Sequence, residues 1–418
     1  MSNNIIETPV VIIGAGPAGV GTSIYLTLAG IKHVIIEKET FPRDKVCGDA
    51  ISGKSAHVLR KANPAWLHEV YQQPEGFTPS RGIIFVAPNG KPLYIPYGDH
   101  LKPGELAPGF TSPRMIFDNF LFDKIDRNFA TVYQHASVKA ITKQQGEVTV
   151  EFMKDGQSYV VKSPVIVACD GDKGIVRKKF INDNASEKSY SVGLRAYYKN
   201  VGGLDPNGYI ELHFLPEILP GYFWIFPLPN GMANVGVGIL SERLRRKKIN
   251  LREQMLKAIE SNPSISHRFK GATLEGKVQG WGLPMGMKRE SISGDNYILC
   301  GDAASLIDPF SGEGIGNALY SGMLAGEALS RCIPKNDFSA ATLKTEYDDI
   351  LYRRLGDEMR ISATLQRLCR YPWLFNMVVN KANKSPSLSN MISGMFTDLD
   401  LREQLRKPSF YAKILLNK

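Results

Sequence analysis

Cysteine is scarce and scattered in this chain. Cys47, Cys169, Cys300, Cys332 and Cys369 are the only five among 418 residues, and none forms a CxxC or CxxH pair. That argues against a structural zinc site and a disulfide framework, so no metal is expected and a reducing, cytoplasmic setting is. No run approaches the ~18–20 apolar residues of a membrane-spanning helix. The start, Met1-Ser2-Asn3-Asn4, lacks the basic segment of a secretory signal and runs directly into an apolar stretch. Internal repeats and low-complexity tracts are absent as well. Acidic charge is in deficit, with 41 Asp and Glu against 51 Lys and Arg, a net +10. No recognised nucleic-acid module accompanies that charge, so nucleic acid is not an expected partner.

What is present is an ordinary globular composition, 43% hydrophobic and 22% charged, in a chain long enough for two domains. Part of the positive excess lies in Glu242-Arg243-Leu244-Arg245-Arg246-Lys247-Lys248, followed by Arg252. Its readings are a solvated helix face, or a surface for an anionic membrane, an acidic electron donor or an NADPH phosphate.

The most informative stretch is Val10 to Lys38, VVIIGAGPAGVGTSIYLTLAGIKHVIIEK. An apolar run meets the turn Gly14-Ala15-Gly16-Pro17-Ala18-Gly19, a helix-compatible segment follows to about Leu28, and a second apolar run ends on Glu37. This is a strand-turn-helix-strand unit with an acidic residue ~20 positions beyond the glycines. Gly14 permits the tight turn, Gly16 lets a pyrophosphate approach the backbone, and Gly19 lets helix pack on strand. The helix N-terminus then faces the phosphates. Glu37 can accept hydrogen bonds from an adenosine ribose, which suits NAD or FAD and disfavours a 2′-phosphate. The stretch alone does not choose between them.

Further along, Arg43 and Lys45 lie in a polar loop where they can meet phosphate or ribityl oxygens or simply face solvent. A helix is predicted from about Ser52, and a hairpin from about Gly76 to Tyr97. Arg114 opens a helix, where a cation gains nothing from the dipole and a ligand role is favoured. The runs 130–133, 136–141 and 148–152 read as a three-stranded meander. Pro164 to Cys169 is a buried strand delivering Asp170-Gly171, and Asn296 to Cys300 is another, delivering Gly301-Asp302. From Tyr190 to Leu240 alternation and aromatic content indicate an antiparallel sheet. Pro309 to Asn317 contains a glycine turn opening a helix to about Cys332, and helical composition follows. Strand-ends at Gly14, Asp170 and Asp302 are explained together by one extended ligand across one edge. Asp302 can bond a sugar-like hydroxyl. The Gly312–Gly316 amides suit a group that becomes anionic, as reduced flavin does.

On these residues the chain resembles the FAD-dependent oxidoreductase superfamily of the p-hydroxybenzoate hydroxylase type, and within it the geranylgeranyl reductase family. The FAD marks are Gly14 to Gly19 with Glu37, Asp170-Gly171, and Gly301-Asp302 with Pro309 and the glycine turn. The family marks are Lys45-Val46-Cys47-Gly48, then Tyr222-x-Trp224-x-Phe226-Pro227 followed by Asn234-Val235-Gly236-Val237-Gly238. The family's Asp-Gly segment usually continues to a Ser, where this chain has Asp172-Lys173-Gly174.

The resemblance implies an α/β fold. Its Rossmann-like FAD-binding domain (1–75, 105–180 and 282–335) carries an inserted antiparallel β-sheet substrate domain (76–104 and 181–281), and a C-terminal helical region (336–418) follows. It implies FAD held by Gly14, Gly16, Pro17, Ala18 and Gly19, with Glu37 on the ribose beside Lys38. Val138 offers its backbone to adenine, and Arg43 and Arg114 lie near the pyrophosphate or ribityl chain. Asp170, Gly171, Gly301, Asp302, Pro309 and Gly312 continue the set, and Gly314 and Ile315 present amides to the flavin. Cys47 and Gly48 approach the flavin, and Cys47, Tyr222, Trp224 and Phe226 form the catalytic pocket.

The expected activity is reduction of carbon–carbon double bonds of a polyprenyl lipid or quinone side chain by hydride from reduced flavin. The alternatives are a flavin-dependent monooxygenase or halogenase acting on an aromatic or carrier-bound substrate, and flavin binding without turnover. The halogenase option rests on likeness to a Trp-x-Trp-x-Ile-Pro signature. No second complete GxGxxG unit occurs, so NADPH or a ferredoxin-like protein is expected as a transient donor. Peripheral membrane contact through the basic surface stays open, and oligomeric state is not readable.

Overall fold

The computed structural model describes residues 4–97, 105–144, 146–181, 189–385 and 388–389. Short β-branched runs that are apolar on both faces form strands buried on both sides, as parallel sheets require. They build a six-stranded sheet in the order β19 (Ser293–Gly294), β20 (Tyr297–Leu299), β13 (Ile166–Ala168), β2 (Val11–Ile13), β3 (His33–Ile36) and β9 (Ala130–Tyr133). All neighbours run parallel except β19 and β20. The register sets Ile166 beside both Val11 and Tyr297, so β2, β13 and β20 end together at Gly14, Cys169 and Cys300.

Helix α1 (Pro17–Leu28) starts at the glycine turn, and α8 (Ile315–Cys332) packs against it more extensively than any other pair of elements. Glycine makes that approach possible. A Cβ on Gly322 would stand 2.1 Å from the Ala18 carbonyl oxygen, and one on Gly19 would stand 1.9 Å from the Gly14 oxygen.

A four-stranded sheet follows in the order β1 (Asn4–Glu7), β12 (Gln157–Ser163), β11 (Glu147–Lys154) and β10 (Ala136–Gln144). The expected meander is therefore corrected. Ala130–Tyr133 leaves it to pair in parallel with β3, and Gln157–Ser163 is the third antiparallel strand. His135, with φ of 53°, turns the chain between β9 and β10, so two adjacent runs enter different sheets.

The second large sheet has seven strands, β18 (Thr273–Pro284), β14 (Tyr190–Lys199), β17 (Met232–Leu240), β16 (Tyr222–Pro227), β15 (Ile210–His213), β6 (Gly82–Val86) and β7 (Pro92–Pro96). It is antiparallel except for β6 and β15, which pair in parallel because β6 comes from the earlier segment. β5 (Thr78–Ser80) does not join it. That strand pairs with β8 (Gly109–Thr111) and β8 with β4 (Ala50–Ile51) in a small three-stranded sheet.

The remaining helices are α2 (Gly53–Ala62), α3 (Pro64–Tyr71), α4 (Arg114–Phe122), α5 (Ile175–Phe180), α6 (Ser241–Arg246), α7 (Leu251–Ser261), α9 (Ala340–Leu343), α10 (Asp349–Leu368) and α11 (Pro372–Ala382). α11 closes the seven-stranded sheet, with the Phe375 ring 4.5 Å from that of Phe214. The apolar tail around Tyr411 lies outside the described residues. Among the described residues no helix is long and apolar enough to cross a membrane.

The contact between α1 and α8 yields a test. Gly322→Ala should lower stability by ~1–3 kcal/mol, the usual cost of forcing an extra carbon into a close-packed contact. Gly271→Ala, where an added Cβ meets nothing within 4 Å, should be near neutral. Urea denaturation of the two variants measures the difference.

Candidate active site

A cavity of about 1300 Å³ runs from the carboxyl edge of the six-stranded sheet to the inner face of the seven-stranded one. That exceeds the ~300–1,000 Å³ of ordinary small-molecule sites. At one end it is lined by Gly14, Gly16, Pro17, Ala18, Glu37 and Lys38. Gly14 has φ of +95°, and a Cβ there would lie 2.4 Å from the Cys169 carbonyl oxygen. At Gly16 only the Arg43 guanidinium comes within 4 Å of an added Cβ, at 3.6 Å. Gly16 caps α1 without any side-chain hydrogen bond, leaving first-turn N–H groups for a ligand. Glu37 is buried, and its carboxylate accepts from the Ala15 N–H at 2.6 Å and the Glu39 N–H at 2.9 Å. Val138 also lines this end, where a register shift between Val138 and Ala140 interrupts the β10 ladder.

The middle of the cavity is cationic. Arg114 is buried and donates to both oxygens of Asp118, at 2.6 and 2.7 Å, and Arg43 donates to Asp118 at 2.7 Å. Burial alone would pull the Arg114 pKa down, but Asp118 and Cys47 together outweigh it and raise it. For Asp118 burial pushes up, and Arg114, then Arg43 and Lys45, hold it low. Lys45 Nζ lies 2.9 Å from Asp302 Oδ2. Beyond it Gly312 has φ of +71°, and α8 begins at Gly314 and Ile315, with the Gly316 N–H donating to Glu313 Oε1 at 2.6 Å.

Three expected contact residues, Gly19, Gly301 and Pro309, are absent from the cavity lining. Gly19 seats α1 on the turn. Gly301 (φ +58°) faces Ala318, and the Pro309 carbonyl accepts from Gln366 Nε2 at 2.5 Å. Asp170 and Gly171 do line it. Asp170 Oδ2 accepts from the Val176 N–H at 3.1 Å, while Oδ1 is buried without a partner. Burial pushes the Asp170 pKa up to about 6, against backbone hydrogen bonds that lower it.

The far wall carries Tyr222, Trp224 and Phe226, with Ile83, Ile210 and Leu212. Tyr222 donates to the Ser311 carbonyl, tying β16 to the glycine turn. Trp224 fits because position 236 is glycine; a Cβ there would sit 2.1 Å from its Cζ2. Gly48 similarly leaves 3.0 Å to the Phe226 ring. Trp224 Nε1 donates to Asn234 Oδ1 at 2.8 Å, and Asn234 Nδ2 donates to the Cys47 carbonyl and to Asp49 Oδ2, each at 2.8 Å. Tyr197 also donates to Asp49 Oδ2, at 2.7 Å. Asp49 carries no signal in the sequence, because its partners Tyr197 and Asn234 come from distant segments, whereas Asp118 sits one helical turn after Arg114 and only its second partner, Arg43, is distant. Asn234 had a signal, as a polar residue in an otherwise apolar strand.

Residues 7–334 match the family described as FAD binding domain. The chain belongs to that family. It is 32% identical over 346 residues to a digeranylgeranylglycerophospholipid reductase of Methanocaldococcus jannaschii, covering 81% of each chain. It is 28% identical over 404 residues to a menaquinone reductase of Mycobacterium tuberculosis, 94% of this chain and 92% of that one. The solved structure of the flavin-dependent brominase Bmp2 has the same fold, with a TM-score of 0.75 at 20% identity over 99% of this chain and 100% of that one. The protein is an FAD-dependent oxidoreductase of this superfamily, and the cavity fits the cofactor. At Gly16 the nearest atom to an added Cβ is the Arg43 guanidinium at 3.6 Å, the α1 N-terminus carries no side-chain cap, and Arg43, Lys45 and Arg114 line the middle of the cavity, as an anionic dinucleotide requires.

Two tests follow from this geometry. Asp302→Ala should purify largely free of flavin, and a full complement by absorbance would remove Asp302 from the cofactor set. Asp49 supplies the second. Burial raises its pKa to about 6, with Tyr197 and Asn234 hydrogen bonds and the Arg195 and Arg114 charges opposing. Its folded value thus lies above the unfolded one, so its contribution is fully present at low pH and is lost as pH rises through about 6. At ~1.4 kcal/mol per unit, the loss is on the order of 2–3 kcal/mol. Asp49→Asn should flatten the fall in unfolding free energy between about pH 4 and pH 7, read by urea denaturation across that range.

Proposed function

We propose that this enzyme saturates carbon–carbon double bonds in the polyprenyl chain of a lipid or quinone. The observation carrying this reading is the apolar arm of the cavity, where Ile83, Ile210 and Leu212 continue the wall made by Tyr222, Trp224 and Phe226. A linear chain of methyl-bearing isoprene units gains free energy from such a slot by burial alone and needs few polar partners. The bound flavin supplies the two-electron chemistry. The chain's own residues orient and enclose the substrate. Asn234 fixes the Trp224 ring by its indole N–H, and the aromatic wall keeps water from the reacting carbon. Cys47 puts a thiol on the same lining, next to Gly48 and Arg114, where a proton can be held. The names of the archaeal and mycobacterial relatives agree with this reading. Electrons arrive from NADPH or a ferredoxin-like protein. The exposed run from Arg245 to Lys248 suits a peripheral position at an anionic membrane.

A second reading, oxygen-dependent hydroxylation or halogenation of an aromatic or carrier-bound substrate, is favoured by a separate observation. Tyr222-x-Trp224-x-Phe226-Pro227 is close to a halogenase signature, and a brominase shares the fold end to end. Anaerobic reduction followed by addition of geranylgeranyl lipid or menaquinone separates the two. Recovery of the oxidised absorbance with a saturated product, without oxygen, is the expected result. Recovery only on admitting oxygen would sink the reductase reading. Trp224→Ala should retain FAD and lose turnover at least ~10-fold, by removing a ring that packs against substrate. Loss of flavin instead would take Trp224 out of the substrate wall.

A further inference from the structure

The cavity has a polar arm that neither FAD nor an apolar substrate explains. It opens between α2, α8 and α10 and is lined by Lys54, His57, Asn317, Tyr320, Arg354 and Glu358. Lys54 packs on the turn that starts α8, its Cβ 3.1 Å from where a Gly316 Cβ would be. The arm therefore meets the main cavity beside the amides expected to face the flavin.

Part of its charge is already matched. Lys54 Nζ donates to Asn317 Oδ1 at 2.6 Å and to Glu358 Oε2 at 3.0 Å. On the rim Lys61 pairs with Glu327 at 2.5 Å. His57 and Arg354 are different. Both side chains are exposed, and neither has an acidic partner among the described residues. Burial, then the charges of Lys61 and Arg60 on its own helix and of Arg354 on α10, hold the His57 pKa below the usual histidine value. The Arg354 guanidinium thus lines the arm opposite a histidine that its cationic neighbours keep neutral, and an anionic ligand there would pair with Arg354 and favour protonation of His57.

The shape narrows the ligand class. Lys54, His57 and Arg354 line the cavity itself rather than a flat face. A phosphate entering the cavity meets all three together. Tyr320, partly buried on the same lining, offers a ring face for a base. We propose that this arm is the docking site of a phosphate-bearing nicotinamide dinucleotide, with Arg354 and His57 on a phosphate and Tyr320 against a ring. The inference rests on the flavin oxidoreductase assignment and is independent of which substrate is reduced.

The probe is 2′,5′-ADP, titrated calorimetrically into FAD-loaded enzyme so that the dinucleotide cradle at Gly14 is already filled. Wild type should bind it. Arg354→Glu should weaken binding at least tenfold, and His57→Ala should weaken it several-fold. Arg354→Lys should retain most of the affinity, and flavin content should stay unchanged in all three variants. A structural role for Arg354 would instead move flavin content or melting temperature along with affinity. No binding to wild type, or equal binding to Arg354→Glu, overturns the proposal. So does an enzyme reduced only by an acidic iron–sulfur protein and indifferent to 2′,5′-ADP. No prenyl substrate is present in the titration, so failure of the reductase reading leaves its outcome untouched.

Discussion

Three parallel strands, β2, β13 and β20, stop side by side, and each is followed within three residues by a glycine whose backbone is left-handed. Gly14 lies at φ +95°, Gly171 at +77° and Gly301 at +58°. An L side chain resists that conformation, and only glycine turns the chain so abruptly at little cost. The shared exit geometry keeps the carboxyl edge open. It brings Gly16, Asp170 and Asp302 to one cavity and leaves the N-termini of α1 and α8 facing it. The close packing of α1 on α8 serves the same end, because it brings two helix starts to one cavity.

The cavity then changes character along its length. Near the strand ends Arg43, Arg114 and Lys45 gather around two carboxylates, Asp118 and Asp302. Removing either partner of the buried Arg114–Asp118 pair would strand a charge out of water, which is far costlier than the pair's net contribution. Past the glycine turn the lining becomes aromatic and aliphatic. The two regimes are joined by one polar seam, Asp49–Asn234–Trp224, which ties the Cys47 loop to the seven-stranded sheet. That seam keeps a carboxylate fully buried with one oxygen unpartnered. The protein tolerates the cost where the two sheets must hold a fixed distance across the cavity.

Much of this was legible from the order of residues. The strand-turn-helix unit at Gly14, the strand-ends at Asp170 and Asp302, and the glycine turn before α8 all announce themselves through local patterns. Burial on both faces and backbone conformation impose those patterns on neighbouring positions. The aromatic wall was legible for the same reason, since alternation along β16 and the glycines of β17 record a ring packed across two strands. The parallel pairing of β9 with β3 and of β6 with β15 left no such trace, because pairing partners are chosen by the rest of the fold.

The sequence by itself therefore determined the cofactor class and the layout of the edge that holds it, through residues whose neighbours in sequence are also their neighbours in space. Tertiary structure alone decided that Arg43 comes in from another segment to share Asp118 with Arg114. It also decided that Asp49 reaches Trp224 through Asn234, and that His57 and Arg354, 297 residues apart, converge on one opening. The physical reason is range. Backbone conformation and hydrophobic periodicity act within a few residues, while ion pairs and hydrogen-bonded seams join segments that only the folded chain brings together.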